Sequence, residues 1–213
     1  MGRIEDPKGD GAKRRIKGSL WGKTTKKAVV LVSGGIDSAV ALAWARARYR
    51  VTALSFDIAG RPRGEVRACA ALVRWAKVPH VRVPVRFLKP RASGYVPARN
   101  LVYHAIALSV AEEIGAEAVV AGHNRSDAKA FSDARPAFFR RLEKLNGGPK
   151  ILLPLAKLTD AEVVERAGDA PLRLTWSCYR DVARPCGRCA ACRGRLESFR
   201  AAGLKDPAQK GIS

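Results

Sequence analysis

Apolar positions along this chain follow two alternating rhythms. Short continuous apolar runs recur at Ala28–Val32, Val51–Phe56, Val81–Val85, Ala118–Ala121 and Ile151–Leu153. Such runs suit strands covered on both faces, as in a parallel sheet. Between them, apolar residues return at helical spacing, which predicts helices over Ser38–Arg48, Glu65–Lys77, Asn100–Ile114 and Pro136–Leu145. In the second of these, Val66, Cys69, Ala70 and Val73 fall on one face and are read as its buried stripe. Thr159, followed three positions later by Glu162, has the spacing of a capping box and predicts a further helix start. Pro84 marks the third strand as an edge, because proline cannot donate to a ladder. Strand–helix alternation predicts an α/β fold, a parallel sheet with helices on both faces. Ligands of such sheets sit beyond the carboxyl ends of the strands. The turn at 33–38, the loop after Phe56 and the loop after Ala121 are therefore expected on one rim.

Composition narrows the class without naming the chemistry. A chain of 213 residues with 47% hydrophobic content suits one α/β domain with a small appended module. No apolar run approaches the ~18 residues of a bilayer span, and the start Met1-Gly-Arg-Ile-Glu-Asp6 lacks a secretory core. No membrane partner and a cytoplasmic location are the expectation. The net charge of +21, from 40 basic and 19 acidic residues, makes a polyanion such as nucleic acid a candidate partner. Residues 1–27 hold nine Lys/Arg against three acids and read as a flexible basic extension. Gly18-Ser-Leu-Trp-Gly22-Lys-Thr24 imitates a Walker loop but is one residue short between its glycines, and no apolar strand precedes it.

The chemistry begins where the first strand ends. Ser33-Gly34-Gly35-Ile36-Asp37-Ser38 breaks the apolar run and restarts as a helix. Backbone N–H groups around such a turn, with the helix N-terminus behind them, form a concave anion site. Ser33 and Ser38 add hydroxyl groups, and Asp37 can hold a magnesium ion or position the phosphate donors. The turn lacks the Gly-Lys-Ser/Thr ending of the common P-loop, which excludes a GTPase or kinase of that type. Its wording resembles instead the PP-loop of ATP pyrophosphatases. That likeness implies that ATP is split into AMP and pyrophosphate while a substrate is adenylated.

A second constellation lies near the other end. Cys178, Cys186, Cys189 and Cys192 give the spacing C-x7-C-x2-C-x2-C. Four thiolates so spaced can close on a tetrahedral ion, most simply a structural zinc, with an iron–sulfur cluster as the rival. Arg180, Arg184, Arg188 and Arg193 lie within the cluster and are expected to keep its sulfurs deprotonated. The fifth cysteine, Cys69, sits on an apolar helix face and reads as core.

With both motifs in view, the chain resembles the 7-cyano-7-deazaguanine synthase family of PP-loop enzymes from about Ala28 to Pro207. The likeness extends through Tyr95-Val-Pro-Ala-Arg-Asn100, through Gly122-x-Asn124-x-x-Asp127-x5-Asp133-x-Arg135-Pro136-x-Phe138, and through Thr175-Trp-Ser-Cys-Tyr179 with the cysteines that follow. It implies a Rossmann-like sheet of the adenine nucleotide alpha hydrolase type, residues 28–174, with a small C-terminal zinc segment of four cysteine ligands at 175–213. It also implies a ligase that adenylates 7-carboxy-7-deazaguanine, admits ammonia, and adenylates the resulting amide to reach the nitrile. By position, Leu31, Val32, Ser33, Gly34, Gly35, Ile36, Asp37 and Ser38 would bind ATP and Mg²⁺, with Asp37 and Ser38 as the catalytic pair. Arg99, Asn100, Asp127, Asp133 and Arg135 become candidates for the substrate rim, and the four clustered cysteines for zinc. A homodimer is also implied. This sequence departs from the family pattern at Asp57-Ile-Ala-Gly-Arg-Pro-Arg-Gly-Glu65, which keeps two acids but lacks the usual Tyr, Gln and His. Ala137 stands where a Glu is expected, and His123 where an apolar residue is common. A changed acceptor, such as a tRNA base, and a nucleotide-binding module without catalysis are the competing readings.

Overall fold

The computed structural model describes residues 24–89 and 95–208. The basic extension and the Walker-like stretch therefore lie outside the described residues up to position 23. Five strands form one sheet: β1 (Lys27–Leu31), β2 (Arg50–Asp57), β3 (His80–Pro84), β4 (Ala118–Val120) and β5 (Lys150–Leu152). Their order is β3-β2-β1-β4-β5 and every pairing is parallel. The strand bearing Pro84 is indeed an edge.

Helices α1 (Ile36–Arg46), α2 (Arg63–Ala76), α3 (Arg99–Glu113), α4 (Arg125–Ala130), α5 (Pro136–Asn146), α6 (Asp160–Glu165) and α7 (Ala190–Ala201) complete the order. Strand alternation divides the core. Ala28, Val30 and Val32 pack with Leu42 of α1 and Leu72 of α2 on one face. Val29, Leu54 and Val119 pack with Leu108 of α3 and Phe139 of α5 on the other. Leu42, Leu54 and Leu72 are fully buried, each worth roughly 1.5–3 kcal/mol of transfer free energy. A smaller cluster of Val40, Leu155 and Val163 docks α6 against α1.

Two expectations need correction. The buried stripe of α2 is Ala68, Cys69, Leu72, Val73 and Ala76, whereas Val66 is half-buried and Ala70 exposed. The sheet contacts α2 about one position further round, where the small Ala68 and Ala76 allow close approach. Helices α4 and α7 were not expected; α4 buries no residue, so no apolar rhythm announces it. The capping box of α6 is present as read, with Thr159 and Glu162 satisfying each other's N–H groups. No helix among the described residues is long and apolar enough to cross a membrane.

Candidate active site

At the carboxyl end of β1 the chain turns through Ser33–Ser38 into α1. Gly34 has φ +111, in the region glycine favours. A Cβ there would lie 2.6 Å from the Glu65 carbonyl and 2.9 Å from the Cys69 nitrogen, so the backbone of α2 rests on the turn. The two serines face inward on the turn itself. Ser38 Oγ accepts from the Gly34 N–H at 3.2 Å and donates to the Gly35 carbonyl at 3.0 Å, while Ser33 Oγ accepts from the Gly35 N–H at 3.3 Å. Gly35 caps α1 without a side chain, so no capping side chain occupies the first helical N–H groups, an arrangement that suits an anion.

The loop after β4 presses against this turn. A Cβ on Gly122 would meet the Asp37 carbonyl at 2.7 Å. Asn124 is buried and its amide is fully used. Nδ2 donates to Asp37 Oδ1 at 3.2 Å and to Asp160 Oδ1 at 2.9 Å, while Oδ1 caps α4 through the N–H groups of Ser126 and Asp127. Asp160 also accepts from Ser126 Oγ at 2.5 Å. Burial, then the neighbouring charge of Asp127, pushes the Asp37 carboxyl up to about 7 against the Asn124 hydrogen bond. A carboxyl kept protonated by burial and by further carboxylates is a place where a cation can replace the proton. Magnesium fits that donor set.

The third wall is the loop after β2. Arg61 is almost wholly buried and sends its guanidinium to the Ser33 carbonyl, to the Phe56 carbonyl at 2.9 Å and to Glu65 Oε1 at 3.0 Å. Asp57 Oδ1 lies 3.7 Å away. The two acids retained in the divergent 57–65 loop thus flank one arginine. Arg61 was not among the expected site residues. Its flanking acids were a usable signal, but its carbonyl partners are invisible in sequence. The turn at 33–38 and the loops after Phe56 and Ala121 do share one rim.

The five rim candidates divide. Asp127 sits beside Asp37, within reach of His123 Nδ1 at 3.8 Å. Burial pushes its carboxyl up, but the His123 contact, the Asn124 N–H and the Arg99 charge together hold it below the ordinary value. Arg99, opening α3, is therefore near this group. Asn100 is buried and tied to the Asp133 carbonyl at 3.2 Å, so its amide joins α3 to the turn at 132–134. Arg135 is exposed, with Nε donating to the Ala128 carbonyl at 3.3 Å. His123 stacks on Phe139 with centroids 4.8 Å apart, and Ala137 is exposed. Tyr95 and Phe131 lie nearly parallel, 6.0 Å between centroids, and both are partly exposed.

The four cysteines converge, with all four sulfurs within 4.8 Å of one another. Cys178 Sγ accepts from the N–H groups of Arg180 and Cys186, both at 3.4 Å. The Cys186 thiol is lowered to about 6, chiefly by the backbone N–H groups of Arg188 and Cys189, whereas burial raises Cys192 to about 12. Backbone amides, not the guanidinium groups expected from the sequence, do most of this at Cys186. Single-ion tetrahedral geometry fits the set. Cys69 is core, as expected, with its thiol directed at the Val32 carbonyl.

A parallel sheet whose central strand opens into this turn defines a PP-loop fold of the nucleotide-using type. NMN synthetase from Francisella tularensis shares the fold, with a TM-score of 0.53 at 17% identity over 84% of this chain and 77% of its own. The chain belongs to the family described as Queuosine biosynthesis protein QueC, which matches residues 27–93 and 89–203. Among its relatives, 7-cyano-7-deazaguanine synthase of Acetivibrio thermocellus is 35% identical, covering 85% of this chain and 96% of that protein. The enzyme of the same name from Thermoplasma acidophilum is 36% identical, covering 85% and 91%.

Proposed function

We propose that this chain is a 7-cyano-7-deazaguanine synthase that spends two ATP on one carboxylate. The observation that carries the reading is the Ser33–Ser38 turn, backed by Asn124 and Asp37, in a chain so similar to enzymes of that name. The carboxylate of 7-carboxy-7-deazaguanine attacks the α-phosphorus of ATP, releasing pyrophosphate and leaving an acyl adenylate. Ammonia adds to the acyl carbon and AMP departs, leaving the amide. The amide oxygen attacks a second ATP in the same way, and loss of AMP with a proton leaves the nitrile.

The turn binds the leaving pyrophosphate through its own N–H groups. Those of Gly34 and Gly35 are now held by Ser38 and Ser33, and a polyphosphate replaces the two hydroxyls as their acceptor. Asp37 holds Mg²⁺, which supplies charge neutralisation for the phosphates. Arg99 and Asp127 face the substrate, and the near-parallel Tyr95 and Phe131 offer flat faces to its ring. Asp133 and Arg135 line the outer rim. Four sulfurs within 4.8 Å support one zinc rather than a cluster, which would hold the thiolates further apart. The cytoplasm, where ATP is abundant, and a homodimer complete the reading.

The test is direct. Incubation with 7-carboxy-7-deazaguanine, ATP, Mg²⁺ and ammonium is expected to give the nitrile by mass spectrometry, with two AMP per product. The net charge of +21 favours a second reading, direct adenylation of a tRNA base. AMP release only when tRNA is present would establish that reading and remove the first.

A further inference from the structure

The phosphate turn and the cysteine cluster meet at one residue. The Trp176 backbone N–H donates to the Gly34 carbonyl at 2.9 Å. The indole Nε1 donates to the Cys178 carbonyl at 2.7 Å. The indole itself covers Gly64, where a Cβ would lie 2.3 Å from Cε2 and 2.5 Å from Cζ2. One residue earlier in α2, Arg63 holds Asp181 through its backbone N–H and its Nε, both at 2.9 Å. Both N–H groups of Trp176 are thus spent, one on the turn and one on the first cysteine of the cluster.

Direction follows from peptide geometry. In a trans peptide the carbonyl and the next N–H point opposite ways. Holding the Gly34 carbonyl toward Trp176 therefore aims the Gly35 N–H away from it, to the side where Ser33 Oγ accepts it. That N–H is one of the groups an anion in the turn would use. We propose that Trp176 is a positioning residue for the phosphate turn, and that an ion on the four cysteines, by fixing Cys178, sets the Gly34–Gly35 peptide. Metal retention and ATP binding are then coupled, and the coupling is reciprocal. The inference rests on the reading of the turn as an ATP site.

Zinc-loaded protein is treated with a chromogenic chelator, with and without saturating α,β-methylene-ATP and Mg²⁺. The analogue is expected to slow zinc release about tenfold. Gly64→Ala, which displaces the indole, is expected to weaken analogue binding by a similar factor while zinc content stays at one per chain. If that variant does not fold, Asp181→Ala removes both acceptors of the Arg63 latch without a clash and shifts analogue affinity in the same direction. Analogue binding with release rates unchanged, or a variant that folds and binds the analogue as the parent does, overturns the coupling. An analogue that fails to bind zinc-loaded parent protein removes the ATP reading itself, and the coupling with it.

Discussion

The Ser33–Ser38 turn and the Cys178–Asp206 segment are held by opposite means. The turn is backbone and small side chains, bonded mostly to itself at 3.0–3.3 Å, with its helix cap left without a side chain. The C-terminal segment gathers four sulfurs and carries one buried ion pair, in which Arg195 donates to both oxygens of Asp206 at 2.6 and 2.8 Å. Arg195 also reaches Thr175 Oγ1 at 2.8 Å and the Leu172 carbonyl at 3.2 Å, so no donor group of the fork is idle. The hydroxyls that hold the turn's N–H groups can give way to another acceptor, whereas every donor group of the Arg195 fork is engaged.

That contrast can be broken from either side. On the turn, Asp37→Asn is expected to cut AMP release by about 10²–10³-fold, with the melting curve of the parent at about pH 4, where both side chains are neutral. The same variant changes the pH profile of stability. In the fold Asp37 keeps its proton to about 7, well above the ordinary carboxylate value. Its favourable contribution is complete below about pH 4 and is lost as pH rises through about 7. Denaturant midpoints of ligand-free protein across that window are expected to fall with pH in the parent and to flatten in Asp37→Asn.

On the staple, Asp206→Ala leaves a buried guanidinium unpaired and is expected to cost about 3–5 kcal/mol in urea unfolding. Cys189→Ser is expected to lose bound metal and to destabilise by several kcal/mol, since ion binding is folding energy here. Full metal content and parent stability in that variant would show the ion to be held otherwise. The smallest effect belongs to neither region. Thr159→Ala removes the cap of α6 and is expected to cost about 1 kcal/mol without changing turnover, measured by the same AMP assay.

Much of the sheet was legible because its strands are continuous apolar runs, and each end of β1 to β5 falls within one residue of the reading. Helix α4 was not, for its six residues include no apolar side chain larger than alanine, bury nothing, and are held by an Asn124–Asp127 capping box. The pattern Asn-x-x-Asp was the available signal. Helix α7 was hidden for another reason: its buried positions are Cys192, Arg195 and Phe199, a cysteine of the cluster, a paired charge and a single large apolar residue. In the site, the turn was legible because glycines and serines in fixed order have few other uses. Arg61 was not, because two of its partners are carbonyl oxygens at Ser33 and Phe56, which every residue possesses. By sequence Asn100 is a candidate for the substrate rim; its amide is spent on the Asp133 carbonyl, a contact that spacing cannot reveal.

The bond from Trp176 to Gly34 spans 142 positions of chain. During synthesis the turn leaves the ribosome early, with β1 and α1, but its last hydrogen-bond donor emerges only after every strand has been made. A nascent chain lacking that donor holds the Gly34 carbonyl by nothing on that side. The turn is therefore begun with the first strand and finished only after the last, so a product truncated before Trp176 carries the motif without its final hydrogen bond.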